Sequence, residues 1–348
     1  MPKLFIFPVF ACVFFFLASC RSMGPKTIPP DGFNYNAQIA LQDNEQLLLN
    51  IVRLRYAEVP QFLVVSSVIN QYSRTGGAGV SGEYQIPGGR VGGNLNGSWT
   101  DRPTITYAPM TGQSFSQSLL TPLPPSVLFF LIQSGWSANR LLRLTTSVAN
   151  RMNNENGNPR ARRQSDPGFL ELMEVLTDLQ HDELLGMHFD GAWPDVDVTV
   201  YFPEEVSEES SRQNIQRFKE LLNLDPNLNE FSVRYGLIQD DETEIVVQTH
   251  SMLEMLSAIS WYIEVPNEHV EEGRTANTFV SEAPPLISIR SSPDKPQDAF
   301  VAIPYKGYWF YVDDRNVDSK TSFSILRILL SLAEDGGGAV APLISIGN

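Results

Sequence analysis

The first twenty residues constrain the fold most, because they have to be set apart before the rest of the chain can be interpreted. Lys3 precedes an almost unbroken apolar run from Leu4 to Phe16, and Leu17-Ala18-Ser19-Cys20 follows it. A charged start, a short apolar run and small residues before a cleavage site are the marks of a secretory signal. The run is shorter than the roughly 20 apolar residues that span a bilayer. We therefore expect residues 1–19 to be a signal peptide that contributes nothing to the folded body.

The residues at the expected cleavage site resemble a known processing motif. Leu17-Ala18-Ser19-Cys20 is similar to the lipobox of bacterial lipoproteins. The resemblance implies cleavage between Ser19 and Cys20, a lipid in thioether linkage on the Cys20 sulfur, and an acyl chain on the new N-terminus. In that family an Asp after the cysteine favours the inner membrane, so Arg21 favours the outer membrane of a Gram-negative envelope. The alternatives are an ordinary cleaved signal and an uncleaved membrane anchor.

The cysteine count limits how the body can be stabilised. The chain has 2 cysteines, and Cys12 lies inside the apolar run of the signal. The processed chain would keep Cys20 alone, so we expect neither a disulfide framework nor a catalytic thiol. Without lipidation, Cys20 would be a free thiol, which is unusual in an oxidising compartment. The body must therefore be stabilised by its apolar core.

The charge excludes two classes of partner. The chain has 25 Lys and Arg against 40 Asp and Glu, a net charge of −15. Loss of the signal, which holds Lys3 and no acid, makes this one unit more negative. Nucleic acid and anionic lipid surfaces repel a strongly acidic body. We therefore predict no nucleic-acid partner, and attachment to the membrane through the acyl chains of the anchor alone.

Composition divides the remainder into a tether and two domains. Residues 20–34 contain three prolines and two glycines and read as the lipidated cysteine with a flexible tether. The polar segment 153–166 is a candidate boundary. We expect an N-terminal α+β domain over residues 35–165 and a C-terminal α+β domain over residues 166–348.

The N-terminal domain should begin with a helix and continue with glycine-rich strands. Apolar residues recur at helical spacing over residues 35–58, and Pro60 ends the pattern. A strand is expected over residues 61–73, followed by a Gly-rich stretch over residues 75–108. Its glycine clusters lack the lysine and the strand–loop–helix context of a phosphate-binding loop. Hairpin turns with a mobile loop, or a docking arm, are the two interpretations. The apolar stretch 126–134 is expected to be a buried helix, with an exposed partner-binding patch as the alternative.

The C-terminal domain shows a β-α-β-β-α-β pattern, which matches the ferredoxin-like arrangement. The expected elements are strands over 196–202, 231–238, 244–249 and 286–290 and helices over 207–224 and 251–263. The second and third strands are expected to flank a turn at residues 239–242. An added hairpin turns near Lys306-Gly307. A final apolar helix follows over 319–332, with Asp318 or Ser319 as its cap.

Three further stretches resemble a group of bacterial envelope lipoproteins. They are EQLLLNIVRLRY at residues 45–56, TYAPMTGQSF at residues 106–115, and YKGYWFYVDD at residues 305–314, with SKTSF after it. The likeness is spread along most of the processed chain. The group has no assigned function, so the resemblance implies no active residues.

Two clusters are candidates for binding. In the first, the aromatic strand that contains Trp309 and Tyr311 leads into Asp313 and Asp314. Neighbouring carboxylates beside aromatic rings could bind Ca²⁺ or act on a glycan, while a turn and a helix cap explain the same residues. The second cluster is a group of arginines that would form either a solvated loop or a site for an anionic ligand or partner. Its members are Arg160, Arg162 and Arg163.

The sequence offers no recognisable catalytic motif. His181 and His188 are seven apart, which is not the close pairing of common zinc sites, and no GxSxG motif occurs. We therefore predict no catalytic residue, no metal and no cofactor. The expected function is a non-enzymatic scaffold or assembly component of an envelope complex, with a protein partner and its body in the periplasm. The alternative is a periplasmic protein that binds, or hydrolyses, a ligand or glycan.

Overall fold

The computed structural model describes residues 28–82, 91–154, 164–192, 195–281 and 283–334. The chain divides into two compact units, Met1–Glu45 and Gln46–Asn348. Helix α1, Ile28–Arg55, begins in the first unit. It starts earlier than the predicted residue 35, and Pro29 and Pro30 fall in its first turn, where a missing N–H costs least. Residues 1–20, the expected signal peptide and lipobox, lie outside the described residues.

The second unit contains the remaining elements. Its described helices are α2 Gln113–Leu120, α3 Pro125–Gln133, α4 Ala138–Thr145, α5 Pro167–His181, α6 Glu209–Leu221, α7 Met252–Ser260, α8 Asn267–Glu271 and α9 Val317–Glu334. Its described strands are β1 Leu63–Gly82, β2 Val91–Pro109, β3 Thr146–Ala149, β4 Met152–Asn153, β5 Gly186–Ala192, β6 Asp195–Tyr201, β7 Glu230–Tyr235, β8 Glu244–Thr249, β9 Arg290–Ser292, β10 Ala299–Tyr305 and β11 Tyr308–Asp313.

These strands form a two-stranded, a three-stranded and a six-stranded sheet within the described residues. The two-stranded sheet is the long hairpin β1-β2, the three-stranded order is β10-β11-β9, and the six-stranded order is β4-β3-β8-β7-β6-β5. The expected α+β class is therefore confirmed. So are the helix ahead of a Gly-rich hairpin, and the added hairpin followed by a final helix.

The main core lies on one face of the six-stranded sheet. Strand residues alternate across the sheet, so Val198 and Val200 are buried while Thr199 between them is not. Helices α3, α4 and α5 supply the opposing apolar side chains, including Phe129, Leu142 and Phe169. The packing leaves a void of only about 30 Å³. This layer of helices on a sheet is what stabilises a body without disulfides.

The strand order differs from the ferredoxin-like arrangement. Strand β7 is antiparallel to β6 but parallel to β8, so residues 236–243 form a crossover where the sequence predicted a hairpin turn. The strand expected at 286–290 is β9, which belongs to the three-stranded sheet instead. Strand β3 takes the position beside β8. Strands from both sides of segment 153–166 therefore share one sheet within one unit.

An ion pair closes the short parallel connection between β7 and β8. The Arg234 guanidinium lies 2.7 Å from a Glu244 carboxylate oxygen and 3.1 Å from Asp240. The Asp240 N–H donates to the same Glu244 carboxylate at 2.7 Å. These contacts fold the loop back to the start of β8, so eight residues suffice where parallel strands usually need a dozen or more.

The apolar stretch 126–134 forms helix α3 as expected, but it is not buried all round. Val127, Leu128, Phe129 and Ile132 are buried, whereas Phe130 is 58% exposed. The Phe130 ring packs edge-on against Phe189 of β5, with the ring centroids 5.9 Å apart. Within the described residues, no helix is long and apolar enough to cross a membrane.

Candidate functional site

Four of the predicted site residues are described, at the end of strand β11. Burial alternates along this strand: Phe310 and Val312 are fully buried, while Trp309, Tyr311 and Asp313 are partly exposed. The alternation places these last three residues on one outer face of the three-stranded sheet. The predicted arginine cluster, Arg160, Arg162 and Arg163, lies outside the described residues. So do Ser19 and Cys20.

Basic residues border this outer face. The Lys295 ammonium lies 5.2 Å from the centroid of the Trp309 ring, and Arg290 is the register partner of Tyr311 on β9. An open cleft of about 450 Å³ adjoins the face and is lined by Arg290, Asp313 and Arg315 among others. Aromatic rings beside mixed charges can take a sugar or a polar peptide.

The acidic residues of the predicted site are occupied by nearby cations and turn hydrogen bonds. The Asp313 carboxylate accepts from the Arg315 backbone N–H at 2.9 Å, and the Arg315 guanidinium lies 3.6 Å away. The Lys320 ammonium lies 2.7 Å from the Asp314 carboxylate. Asn316 caps helix α9 by accepting from the Ser319 N–H at 3.0 Å, so the cap expected at Asp318 or Ser319 is corrected. These acids organise a turn and a helix start.

The histidine pair considered for metal binding does not form a cluster. His181 pairs with Asp182 and His188 with Asp190, each at 3.3 Å. His181 ends helix α5, whereas His188 is within strand β5. Across the described parts of the chain, His, Cys, Asp and Glu residues form no group of three that could hold a metal ion.

A buried tyrosine–histidine pair was missed at the sequence level. The Tyr56 hydroxyl, at the end of helix α1, lies 2.6 Å from Nδ1 of His269 in helix α8. His269 is only 2% exposed, and burial raises the pKa of Tyr56 to about 12. The Tyr56 ring also packs on Tyr305 and Phe310, with centroids 5.3 and 6.1 Å away. A neutral hydroxyl held among rings joins elements and is poorly suited to reaction.

An exposed ion pair extends this junction at the surface. The Lys306 ammonium lies 2.9 Å from the Glu58 carboxylate. The neighbouring Tyr305 hydroxyl and then the Lys306 ammonium lower the pKa of Glu58. Burial, followed by the neighbouring Glu58 carboxylate, raises the pKa of Tyr305. The end of helix α1 and the β10-β11 hairpin therefore meet at this junction.

The most unusual feature of the molecule is the hairpin β1-β2, here called the arm. Its strands have 20 and 19 residues and pair antiparallel from Leu63 with Pro109 to Gly82 with Val91. At about 3.3 Å per residue the arm is roughly 65 Å long, several times an ordinary strand. One register shift, between Val65 and Ser67, interrupts the ladder. The expected hairpin is therefore a single extended arm, with its connecting loop outside the described residues.

The arm is attached to helix α1 by two side-chain amides. Asn50 donates to the Gln61 carbonyl and accepts from the Gln61 N–H, both at 2.8 Å. One turn earlier, Gln46 makes the same pair of bonds to Leu63, at 3.0 and 2.8 Å. Asn50 is fully buried. The two amides imitate the edge of a strand and fix the direction in which the arm leaves the body.

Apolar side chains are exposed where the arm begins. Leu63 is 42% exposed, Val64 43% and Tyr107 40%. Phe62, directly before β1, is instead buried against Phe115, with ring centroids 6.0 Å apart.

The start of the arm at Gln61 and Leu63, where helix α1 holds it, is here called the root. The sequence signal that could have identified the root is the pair Gln46 and Asn50. These two amides stand four residues apart beside the apolar stripe of a helix, where buried polar groups need partners.

No family model, curated protein or solved structure matches this chain.

Proposed function

We propose that this protein is a membrane-anchored lipoprotein of the bacterial envelope that acts as a non-enzymatic scaffold or assembly component. The single observation that carries this proposal is the arm. A strand pair of 20 and 19 residues, fixed at its root by four amide–backbone hydrogen bonds, extends a docking element from the body. An isolated hairpin is marginally stable in water, so a partner that covers the arm would stabilise it.

The anchor is the second part of the proposal. Lipidation of Cys20 would hold an acidic chain, of net charge −15, at a surface that it cannot approach by electrostatics. Arg21 favours the outer membrane, with the body in the periplasm. Anchoring confines the protein to one surface, which raises the effective concentration of a scaffold and its partner.

The arm is tested by shortening it without disturbing its root. Residues 72–101 are replaced by Asn-Gly, because Gln71 and Arg102 are register partners that a two-residue turn can join. Cross-linking in cells is then followed by purification of the full and shortened chains. We expect equal melting temperatures and equal membrane fractions, with loss of the cross-linked envelope proteins from the shortened chain. Retention of every cross-link would contradict a docking role.

A second candidate function is binding of a glycan or other ligand on the outer face of the three-stranded sheet. Trp309 and Tyr311 favour it, because they share a face with Asp313, which lines the cleft of about 450 Å³. The ion pairs of Asp313 and Asp314 make hydrolysis a weaker candidate than binding. A thermal-shift series with muropeptides and oligosaccharides tests it. An absent shift, together with an unchanged phenotype of Trp309→Ala, would remove this candidate.

A further inference from the structure

The outer edges of the arm are unpaired. In the described ranges of the chain, β1 and β2 form a sheet with each other and with no third strand. Each strand therefore presents a row of backbone N–H and C=O groups on its outer side. Such edges are templates for pairing with another chain, and proteins that must avoid this guard them with Lys, Pro, bulges or short strands.

The two edges are not equally open. Pro103 on β2 is the register partner of Asn70 on β1. Proline has no N–H to give to the ladder, so its nitrogen lies on the outer side of β2. By the alternation of an antiparallel ladder, Asn70 then also points its backbone groups outward. The outer edge of β2 lacks a donor at Pro103, whereas every second residue of β1 from Val68 to Val80 offers one.

The edge of β1 also has few of the residues that guard exposed strands. Charged residues make up 19% of the chain, yet among the 20 residues of β1 Arg74 is the one charged residue, and the strand contains no Lys and no Pro. The bulge between Val65 and Ser67 is close to the root. The remainder of β1 is long and regular and carries one charge, which is the kind of edge that recruits another strand.

If two copies of this chain meet, charge favours contact between their arms over contact between their bodies. The two strands of the arm carry Arg74, Asp101 and Arg102, a net charge of +1, in a chain of net charge −15. The rest of one copy therefore strongly repels the rest of another, while two arms of charge +1 each repel only weakly. The arm is the surface on which two copies can meet at a small electrostatic cost.

We propose that two copies of this protein associate through their arms, with β1 of one copy pairing antiparallel with β1 of the other about a two-fold axis. The product is a four-stranded sheet in the order β2-β1-β1-β2. Because the pairing is isologous and its outer strands carry the interrupted edge, the assembly closes at two copies. This inference rests on the proposed function of the arm as a docking element, and it names the partner.

The edge is tested with a matched pair of prolines in the full chain, purified in detergent. Tyr72 and Asp101 are register partners two residues away from the pair Asn70 and Pro103. Their backbone groups therefore point outward as well. Tyr72→Pro removes one outward donor from β1, and Asp101→Pro removes one from β2, while both spare the ladder within the arm. In analytical ultracentrifugation we expect a dimer for the parent chain. The dissociation constant of the dimer should be at least tenfold larger for Tyr72→Pro and unchanged for Asp101→Pro.

Single cysteines provide a second measurement that does not depend on the proline variants folding. The chain has only Cys12 and Cys20, so the parent supplies the background. Cysteine is placed in turn at positions 68 to 75 of β1 and at the register partners, positions 98 to 105 of β2. Under mild oxidation, positions of β1 near the two-fold axis should give disulfide-linked dimers, and those of β2 should not.

Several outcomes would overturn the inference. A monomeric parent without cross-links from β1, equal weakening by both prolines, or equal cross-linking from both strands would each contradict pairing of β1 with β1. If the chain is monomeric but the shortened arm still loses envelope cross-links, this inference fails and the proposed function stands. If the chain is monomeric and the shortened arm also keeps its envelope cross-links, the proposed function fails as well.

Discussion

His250 links the stability of the fold to pH through a single residue. Its side chain is buried, with the residue 5% exposed. Its backbone N–H donates to the Thr145 carbonyl at 2.6 Å, and its backbone carbonyl accepts from the Leu123 N–H at 3.3 Å. Burial lowers the pKa of His250, and the Glu254 carboxylate 3.9 Å away opposes this only in part. The folded state therefore holds this imidazole neutral where the unfolded chain would protonate it.

We predict that the free energy of unfolding falls as the pH falls below about 6.5, the ordinary pKa of histidine. In that range the unfolded state binds more protons than the folded state, so acid favours unfolding. The stability that the neutral His250 contributes is fully present above this pH. It is lost as the pH falls towards the lower folded-state pKa of His250. Melting temperatures from pH 7.5 to 5.5 measure it. His250→Gln should flatten the slope, and an unchanged slope would contradict the assignment.

Tyr56 makes a second prediction at this scale. Tyr56→Phe leaves Nδ1 of the buried His269 without its partner at 2.6 Å, which should cost about 1–3 kcal/mol of stability. Tyr308→Phe is the matched control, because its hydroxyl donates to Glu268 at 3.1 Å on the exposed side. The control should change stability by less than about 0.5 kcal/mol. Chemical denaturation measures both, and equal effects would show that the buried pair is not special.

At the scale of elements, local patterns predicted more than long-range pairing. The turn near Lys306-Gly307 was predictable, because glycine favours the positive φ that a type I′ hairpin requires; in the structure both residues have positive φ. The parallel direction of β7 and β8 was not, because it depends on how β8 pairs with β3, which lies far earlier in the chain. Helical periodicity likewise located the last turns of α1, but could not indicate that Tyr56 meets His269, more than two hundred residues later.

The candidate site was predicted in part for the same reason. Strand alternation alone puts Trp309, Tyr311 and Asp313 on one face, so their grouping could be expected from the sequence. That Asp313 and Asp314 are paired with Arg315 and Lys320 depends on how the turn folds. The length of the arm was hidden by its glycines, which read as several short hairpins because Gly weakens the strand signal.

The root of the arm gives a prediction for an element. Asn50→Ala removes both bonds to Gln61 in a buried place, so it should cost about 1–3 kcal/mol. It should also speed hydrogen exchange of the Gln61 amide and of the first residues of β1. Gln46→Ala, where water can replace the lost bonds, should have a smaller effect. Exchange at Gln61 as slow as in the parent would contradict the role of Asn50.

At the scale of the whole molecule, the anchor is the prediction that decides location. Mass spectrometry of the N-terminal peptide should find a chain that begins at Cys20, with lipid on its sulfur and an acyl group on its amine. Cys20→Ala should move the protein from the membrane fraction to the soluble fraction, because so acidic a chain, of net charge −15 before processing, has no affinity of its own for anionic lipid. A processed chain that begins elsewhere would contradict the lipoprotein assignment.

The register shift beside Ser66 sits between the root and the rest of the arm. A bulge sets two residues of one strand against one of the other, and it bends the bulged strand and increases its local twist. Ser66 therefore bends the arm just beyond the bonds made by Gln46 and Asn50. Deleting this one residue would straighten the arm at that point and change the direction in which its distal strands extend, without any alteration of the folded core.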